Sequence, residues 1–344
     1  MKFLFFLTVF FAPVLGNLQQ FLDFKTQYNK NYNDIDEFNS RYDIFVDNLH
    51  TINNHNQSLG YQLAVNQFAD LTPNEFDSYY KGYIPTNTTN TTTNNINTTN
   101  NTNTTNNTNN INTQCTCSNN QNIQSDLPES FDWTDHTPSV VTDVKDQGGS
   151  CGSCWAHSAV ESIESAYAIK TGTLYVLSEQ ELVDCDKKDD GCSGGLMDNA
   201  FEYLMNNGLC TEESYPYVGK NGKCKKCDSV VQISGYKDVI SNNEEALMRA
   251  LVENGPISIG IQANQLVFQL YRKGIIKSGC GKNLDHGVNL ISYGIEDGIK
   301  YWKVRNSWGS TWGEDGYFRI ERGTGENNGA GLCGILAQAS YPLI

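Results

Sequence analysis

After residue 16, the 344-residue sequence lacks any hydrophobic run long enough to cross the ~30 Å hydrocarbon core of a bilayer. Basic residues are few, with 24 Lys and Arg against 39 Asp and Glu and a formal net charge of −15. An acidic surface repels phosphate groups, which argues against nucleic acid as a partner. Cysteine is also sparse, because eleven residues are about 3% of the chain, well below the cysteine fraction of a small disulfide-dense scaffold. These absences leave a globular protein of one large or two modest domains, with no membrane anchor after its first residues.

Residues 1–16 carry Lys2 and then an apolar run that Pro13 interrupts. The run is too short to span a bilayer and ends in small residues, which is typical of a cleaved secretory signal. We expect cleavage near Gly16, entry into the secretory pathway, and a final location in the lysosome or outside the cell. That pathway permits disulfide bonds.

Residues 86–113 consist almost entirely of Asn and Thr. This composition buries too little apolar area to offset the entropy of ordering, so we expect a disordered spacer, either a glycosylated linker or simply a tolerant loop. Six glycosylation sequons lie in it and a seventh precedes it: Asn87, Asn90, Asn97, Asn100, Asn103, Asn106 and Asn56. Residues 1–124 have a net charge of −4 and the remaining 220 residues have −11, so most of the acidity belongs to the C-terminal region.

Residues 34–57 have the spacing of an amphipathic helix, with Ile44, Phe45, Leu49 and Ile52 recurring every three to four positions. Glu37 and Arg41 stand four residues apart and can pair on one face of such a helix. Taken alone, this pattern predicts only an ordinary surface helix.

A six-residue pattern in this helix and a short motif after it resemble the propeptides of papain-family cysteine proteinases. The helix pattern is Glu37-x3-Arg41-x3-Phe45-x2-Asn48-x3-Ile52-x3-Asn56, and every position is filled. The motif is Ala64-x-Asn66-x-Phe68-x-Asp70, in which Ala stands where the family has Gly. The resemblance implies an inhibitory prodomain that occupies the active-site cleft until it is removed.

Cys154 lies in the segment Gln147-Gly-Gly-Ser-Cys151-Gly-Ser-Cys154-Trp155-Ala and begins a helical pattern. A thiol there faces unpaired N–H groups and the positive end of the helix dipole, both of which favour the nucleophilic thiolate. Taken alone, Cys154 could instead be half of a disulfide or a buried thiol. The C-G-S-C-W segment resembles the nucleophile signature of papain and cathepsin L-like proteinases, in which His and Asn follow roughly 130–150 residues later. Here His286 follows after 132 residues and Asn306 after 152.

Five histidines compete for the role of the base. Three of them lie in the predicted prodomain or in a polar loop: His50, His55 and His136. His157 is on the same helix as Cys154, so its side chain points back along that helix, and we interpret it as structural or tuning. His286 begins an apolar, strand-like run, and its setting resembles that of the family's base.

Asn306 opens the stretch Asn-Ser-Trp-Gly. Its amide oxygen can accept a hydrogen bond from an imidazole and fix the tautomer and direction of the ring. The alternative is an ordinary Asn-Ser turn between strands. The resemblance implies a triad of Cys154, His286 and Asn306, with Trp308 in the cleft shielding the His–Asn hydrogen bond from water.

Gln147 is the candidate oxyanion donor, with its side-chain amide acting beside the backbone N–H of Cys154. It stands seven residues before the nucleophile, whereas the family places this Gln six residues before, because Gly148-Gly149 adds one residue. We expect the additional glycine to bulge outward. The alternative is a catalytically impaired homologue that acts as a binding protein or decoy.

Ten cysteines remain besides Cys154. The resemblance implies the disulfides Cys151–Cys192, Cys185–Cys224 and Cys280–Cys333, and it leaves Cys210 and Cys227 for an additional bridge. Cys115 and Cys117 have no assigned role. The Cys-x-x-Cys pairs at 151/154 and 224/227 could instead hold zinc or act in redox chemistry, but 69 intervening residues are a poor spacing for a zinc knuckle. We therefore expect no metal and no cofactor.

Local matching to the family also implies the substrate-binding residues. Gly194-Gly195 would pair with the main chain of an extended peptide. The pocket for the residue two before the cut would be lined by Leu196, Met197, Gly260, Gly287 and Gln338. Four of these are small or apolar and favour an aliphatic or aromatic side chain, whereas Gln338 is polar.

The fold class implied by the resemblance is α+β, with a papain-like, two-lobed architecture behind a helical propeptide. A helical left lobe would carry Cys154, a β-barrel-like right lobe would carry His286 and Asn306, and the cleft would lie between them. The helical patterns at 154–170 and 178–186 agree, the second opened by a Ser178-x-x-Glu181 capping box, as do strand-like runs at 256–262, 287–294 and 300–306.

The sequence thus predicts three segments: a signal at 1–16, a propeptide at 17–124 and a mature domain at 125–344 that begins shortly before Leu127. We interpret the chain as a monomeric cysteine endopeptidase, made as a zymogen, that hydrolyses peptides and proteins through a thiolate and an acyl-enzyme. Its first partner would be its own propeptide.

Overall fold

Three helices and one short strand precede the Asn/Thr tract in the computed structural model, which describes residues 7–56, 60–80, 82–85 and 127–344. These elements are α1 (Leu7–Gln27), α2 (Ile35–Asn56), β1 (Gln62–Leu63) and α3 (Pro73–Tyr80). Helix α2 confirms the helix predicted over 34–57, and α1 runs through the predicted cleavage position at Gly16. The sequons at 87–106 and the cysteines 115 and 117 lie outside the described residues.

Aromatic side chains join α1 to α2. The ring centroids of Phe21 and Phe45 are 5.3 Å apart, and those of Phe24 and Phe45 are 5.0 Å apart. The pairing of Glu37 with Arg41 that their spacing allows is not what the structure has, because Arg41 reaches Glu75 at 2.9 Å. The arginine therefore ties α2 to the first turn of α3 rather than stabilising its own helix.

The region from residue 127 onwards contributes five helices and nine strands to the described structure. The helices are α4 (Cys154–Thr171), α5 (Glu179–Cys185), α6 (Met197–Asn207), α7 (Glu244–Asn254) and α8 (Leu266–Gln269). The strands are β2 (Phe131–Asp132), β3 (Gly235–Asp238), β4 (Ile257–Ile261), β5 (Tyr271–Lys273), β6 (Ile275–Ile276), β7 (His286–Glu296), β8 (Ile299–Arg305), β9 (Tyr317–Glu321) and β10 (Ala339–Leu343).

Eight of the strands form one sheet in the order β3-β10-β4-β7-β8-β9-β6, with β2 pairing on β7. All neighbours are antiparallel except β6 and β9. The register of β4 and β7 sets Gly260 opposite Gly287 and Ile261 opposite His286. Because β7 and β8 are antiparallel, the start of β7 and the end of β8 lie at the same edge of the sheet. Sheet topology thus brings His286 and Asn306 together.

Two hydrophobic cores confirm the two-lobed architecture. One core lies among α4, α5 and α6, and the other lies over the sheet and continues into the aromatic cluster of α1 and α2. Helix α4 packs on α6 on one side and on β4 and β7 on the other, which explains why its residues are buried nearly all round. No helix of the described residues is both long and apolar enough to cross a membrane.

Helix α5 begins with half of the predicted capping box. The Ser178 hydroxyl accepts a hydrogen bond from the Glu181 N–H at 3.1 Å, as a capping residue should. The Glu181 carboxylate does not bond back to the backbone of Ser178 but accepts from the Cys210 N–H at 2.8 Å. The backbone N–H of Ser178 bonds to the Cys210 carbonyl instead. Glu181 therefore joins α5 to the segment after α6.

Candidate active site

Cys154 is the first residue of α4 and is fully buried. Among the described cysteines it is the one outside a disulfide. Its Sγ accepts a hydrogen bond from the backbone N–H of Gly287 at 3.3 Å. A sulfur at a helix N-terminus that also accepts an N–H is placed to hold negative charge.

His286 is held by Asn306 and lies beside Cys154. Its Nε2 is 2.8 Å from the Asn306 Oδ1, and because an amide oxygen can only accept, Nε2 carries the proton. In the neutral ring Nδ1 is then unprotonated, and it makes no hydrogen bond within the described residues. Gly287, the next residue, donates its backbone N–H to the Cys154 sulfur, which brings the start of β7 at His286 against the thiol. Trp308 stacks on the ring with centroids 4.7 Å apart and an interplanar angle of 28°.

Burial keeps both groups neutral in this state of the molecule. Loss of water raises the pKa of the Cys154 thiol to about 12, against the opposing effect of the Gly287 N–H. Burial likewise lowers the pKa of His286 to about 4, although its hydrogen bond to Asn306 acts in the other direction. Burial of both groups therefore favours a thiol and a neutral imidazole over an ion pair.

Gln147 is fully buried, and three of its hydrogen bonds join it to Cys151 and Ser307. Its Nε2 donates to the Cys151 carbonyl at 3.1 Å, its Oε1 accepts from the Ser307 hydroxyl at 2.7 Å, and its backbone N–H donates to the Ser307 carbonyl at 2.9 Å. Ser307 follows Asn306, so Gln147 is anchored to the strand end that also orients His286.

The additional residue between Gln147 and Cys154 is taken up in a turn. Gly148 has φ = +71°, a backbone conformation that glycine adopts without strain, and a Cβ there would meet no atom within 4 Å. Its N–H donates to the Asp146 carboxylate at 2.9 Å. The chain therefore turns at Gly148 while Gln147 remains bonded to Cys151 and Ser307.

The chain just before the Asn/Thr tract lies in the cleft. Gly195 donates its N–H to the Gly82 carbonyl at 2.8 Å and accepts the N–H of Ile84 at 2.9 Å, forming a parallel bridge between Tyr83 and Gly195. Gly82 passes so close to Gly152 that a Cβ on it would lie 2.0 Å from the Gly152 carbonyl oxygen. The prosegment thus occupies the backbone positions that the sequence assigns to a substrate.

The Tyr83 side chain fills the predicted pocket. It is 6% exposed, and its hydroxyl forms a short hydrogen bond with the Gln338 Oε1. A Cβ on Gly260 would be 2.9 Å from the Tyr83 ring, and one on Gly287 would be 3.1 Å from the Met197 Sδ, so both glycines leave room at the pocket wall. Leu196 and Met197 line the same cavity.

The pocket also contains residues that the sequence did not assign. Asp198 and Asp238 line it, and the Asp198 carboxylate accepts a hydrogen bond from the Ser340 hydroxyl at 2.6 Å. Burial raises the pKa of Asp198 to about 6. Asp198 directly follows two predicted pocket residues, which is the one signal that could have identified it; Asp238 carries no such signal.

The prosegment is also held by the loop around α8. The Asn66 amide donates to the Gln269 carbonyl at 2.8 Å, and the Gln269 amide donates to the carbonyls of Phe68 and Leu71 at 3.0 and 2.8 Å. Strand β1 pairs with β5 in the same region. Gln269 is fully buried, so its side chain acts as an internal anchor for the motif at 64–70.

His157 lies on α4 and bonds within its own helix. Its Nδ1 is 3.0 Å from the Ser153 carbonyl, four residues back, and its ring packs edge-on against Tyr217 at 5.0 Å. Burial lowers the pKa of His157 to about 4, so the ring is neutral. These contacts agree with the structural role that we predict for it.

Four disulfides are present among the described residues: Cys151–Cys192, Cys185–Cys224, Cys210–Cys227 and Cys280–Cys333. The first members of the two Cys-x-x-Cys pairs are therefore bonded to cysteines elsewhere. The ligand atoms of Glu181, Cys210 and Cys227 lie close enough together to share a metal ion, but the two sulfurs are joined to each other. Within the described residues this group is not available to zinc.

Of the predicted glycosylation sequons, Asn56 falls among the described residues. Its Nδ2 donates to the Leu63 carbonyl and its Oδ1 accepts the Leu63 N–H, both at 2.9 Å. A glycan would be attached to that same nitrogen, so it would disturb the bond that joins the end of α2 to β1.

Two family models match the chain. The papain family cysteine protease model matches residues 127–343, and the cathepsin propeptide inhibitor domain model matches residues 21–76. A thiol protease of Hemerocallis sp. is 44% identical over 317 residues, covering 90% of this chain and 82% of the relative. A cysteine proteinase of Hordeum vulgare is 43% identical over 318 residues, covering 89% and 79%.

Solved precursor structures agree with these matches. A recombinant stem bromelain precursor superposes with a TM-score of 0.80 at 36% identity, covering 96% of this chain and 99% of that one. A digestive procathepsin L 3 of Tenebrio molitor larval midgut gives 0.78 at 33% identity, covering 95% and 99%.

Proposed function

This chain belongs to the papain family of cysteine proteases, with an inhibitory propeptide before the protease domain, and from that premise we propose that it is a catalytically competent endopeptidase of the secretory pathway. One observation carries the proposal: a lone buried thiol at the start of α4 lies beside an imidazole whose tautomer Asn306 fixes. All of these groups come from one chain, so we propose that it acts as a monomer. We also propose that residues 1–16 are its signal and that it acts in the lysosome or outside the cell.

The reaction begins when the prosegment leaves and water enters the cleft. The desolvation that holds Cys154 and His286 neutral is then relieved, and the thiol proton moves from Sγ to the imidazole Nδ1. The thiolate attacks the peptide carbonyl carbon, a C–S bond forms, and the carbonyl electrons move onto oxygen. The Gln147 amide and the Cys154 N–H stabilise that oxyanion.

The tetrahedral adduct then collapses toward the acyl-enzyme. The imidazolium donates its Nδ1 proton to the leaving amine as the C–N bond breaks. Water, deprotonated by His286, attacks the thioester, and cleavage of the C–S bond returns the thiol and releases the acid. Asn306 holds the ring in one orientation throughout, and Trp308 covers it.

The substrate class follows from the cleft that Tyr83 occupies. Gly194-Gly195 would pair with the main chain of an extended peptide, as Gly195 does with the prosegment. The pocket of Leu196, Met197, Gly260, Gly287 and Gln338 would accept a bulky aromatic residue two positions before the cut. Gln338 adds a hydrogen-bond acceptor at its base, which favours tyrosine there.

The decisive test is labelling of the nucleophile. The purified precursor is acidified, the new N-terminus is determined, and peptide hydrolysis is assayed with and without reductant. We expect a new terminus shortly before Leu127 and reductant-dependent hydrolysis in the wild type. Cys154→Ala should abolish both hydrolysis and labelling by an epoxysuccinyl inhibitor, and persistent labelling of that variant would refute Cys154 as the nucleophile.

Deleting Gly149 tests whether the longer loop matters. Because the bulge leaves Gln147 anchored, we expect the deletion to change the turnover of the mature enzyme by less than tenfold. A rise of several orders of magnitude would favour the impaired binding protein instead.

A further inference from the structure

The hydroxyl of Tyr217 lies between the two ends of the loop 147–154, which we call the oxyanion loop. It is 2.7 Å from the Gln147 carbonyl and 2.6 Å from the Ser153 hydroxyl. A carbonyl can only accept, so Tyr217 donates its single hydroxyl proton to Gln147. The Ser153 hydroxyl must then donate to the Tyr217 oxygen. The directions of both hydrogen bonds are therefore fixed. Through them, Tyr217 holds Gln147, whose side chain is one oxyanion donor, and Ser153, which precedes the other donor, the Cys154 N–H.

The Tyr217 ring is itself held in place. It packs edge-on against His157, whose Nδ1 bonds to the Ser153 carbonyl at 3.0 Å. Its backbone N–H donates to the Glu212 carboxylate at 2.7 Å. Burial raises the pKa of Tyr217 well above its usual value, so the hydroxyl keeps its proton. Because the ring is held in place and the hydroxyl stays protonated, the hydroxyl keeps its position between Gln147 and Ser153.

Gly148 and Ser150 have few other contacts, whereas Cys151 in the same loop is held by its disulfide to Cys192 and by the Gln147 amide. A Cβ on Gly148 would meet no atom within 4 Å, and Ser150 is exposed with one hydrogen bond, from its hydroxyl to the Gly219 carbonyl at 3.1 Å. The Tyr217 hydroxyl thus adds a connection between the two ends of the loop to the one that the Gln147 amide makes with the Cys151 carbonyl. An additional glycine increases the conformational freedom of the loop, so hydrogen bonds that restrain the loop have a larger effect here than in a shorter loop.

We propose that Tyr217 is a positioning residue that sets the separation of the two oxyanion donors, the Gln147 side chain and the Cys154 N–H. The inference rests on the proposed function, because it assigns Tyr217 to the step in which the oxyanion forms. Its hydroxyl bonds to the Gln147 carbonyl and the Ser153 hydroxyl rather than to the Cys154 thiol. Its removal should therefore slow formation of the tetrahedral adduct and leave substrate binding and thiol reactivity unchanged.

The test compares Tyr217→Phe with Tyr215→Phe in the mature enzyme. Tyr215 is a matched control, since it is buried in the same lobe and its hydroxyl donates to the Asp184 carboxylate at 2.8 Å, away from the oxyanion loop. Four quantities are measured: kcat, KM, the affinity of a peptide aldehyde, which forms a tetrahedral adduct with the thiol, and the rate of alkylation by iodoacetamide.

For Tyr217→Phe we expect kcat and aldehyde affinity to fall together by about tenfold, with KM and the alkylation rate within twofold of wild type. Tyr215→Phe should leave all four within twofold. If Tyr217→Phe does not fold, Ser153→Ala tests the same bridge from its other end, and in a foldable pair the two substitutions should not add, because they break one connection.

The outcomes separate the inference from the proposed function. An active wild type whose Tyr217→Phe variant matches it overturns the inference alone. A variant in which kcat falls, KM rises and alkylation slows by the same factor also overturns the inference, because the hydroxyl then stabilises the lobe as a whole. A wild type inert to both peptide and aldehyde overturns the proposed function and the inference with it.

Discussion

Replacing Tyr83 with alanine should open the cleft of the precursor. The side chain is 6% exposed and fills the pocket that ends at Gln338. Truncating a buried aromatic residue to alanine typically costs 3–5 kcal/mol, and water entering the emptied pocket recovers part, which leaves about 3 kcal/mol. Each 1.4 kcal/mol is a factor of ten, so the open population should rise by roughly 100-fold. Tyr83→Phe loses the bond to Gln338 alone, about 1–1.5 kcal/mol and roughly tenfold.

The assay is the rate at which an epoxysuccinyl reagent labels Cys154 in the intact precursor at neutral pH, followed by mass. The closed cleft excludes the reagent, so the rate measures the open population. Ile84→Ala is the control, because Ile84 is the next residue, 48% exposed, and keeps its backbone bond to Gly195; we expect its rate within threefold of wild type. A Tyr83→Ala rate that matches the Ile84→Ala rate would refute the assignment of Tyr83 as the plug.

Three further predictions concern the mature enzyme, the prosegment anchor and pH. Gln147→Ala should lower kcat by about 100–1000-fold in a steady-state assay and leave the rate of alkylation by iodoacetamide unchanged. An equal loss in kcat and in the alkylation rate would contradict the oxyanion role of Gln147. Gln269→Ala removes the two hydrogen bonds that the Gln269 amide donates to prosegment carbonyls, and it should raise the rate of precursor labelling about 10–100-fold. Gln265→Ala is the control, because the Gln265 amide bonds to Asn264; equal labelling rates in the two variants would contradict the anchor. In calorimetry, the melting temperature of the Cys154→Ala precursor should rise as the pH is lowered from 7.5 to 5.5. Burial raises the pKa of four carboxyls to about 6–7, so in this pH range the folded state binds protons that the unfolded state does not. These carboxyls are Glu161, Asp189, Asp198 and Glu212. Two histidines whose pKa burial lowers to about 4 oppose them below pH 6.5, so a steady fall in melting temperature would mean that they dominate.

Local sequence patterns predict three of the helices, α2, α4 and α5, and the identity of the chemical groups. The period of apolar residues gives α2, and the segment after Cys154 gives α4, because both helices follow from spacing within one stretch of chain. Ser178 caps α5 as expected, since a cap involves atoms three residues apart. Glu181 departs from the expected box because a backbone N–H from residue 210 competes successfully for its carboxylate. Contacts from distant segments override local preference there.

Other features depend on contacts across long sequence separations and carry no local signature. Tyr83 lies in a short extended segment without periodicity, and nothing in its neighbours indicates that its ring enters a pocket whose base is 255 residues away. Tyr217 bonds to a loop 70 residues earlier, and only the folded lobe shows that it spans both ends of that loop. Similarly, Arg41 pairs with Glu75 on α3 rather than with the nearer Glu37, because the fold brings α3 against α2.

The protonated state of Cys154 under the prosegment also has a consequence for oxidative folding. Thiol–disulfide exchange requires a thiolate, and Cys151, three residues away, must pair with Cys192 rather than with its neighbour. A thiol with a pKa of about 12, fully buried beneath the prosegment, presents almost no thiolate at neutral pH. Once the precursor has folded, the prosegment therefore acts on this cysteine as a protecting group does in chemical synthesis. It keeps the Cys154 sulfur from exchanging with the four disulfides until proteolysis removes the prosegment.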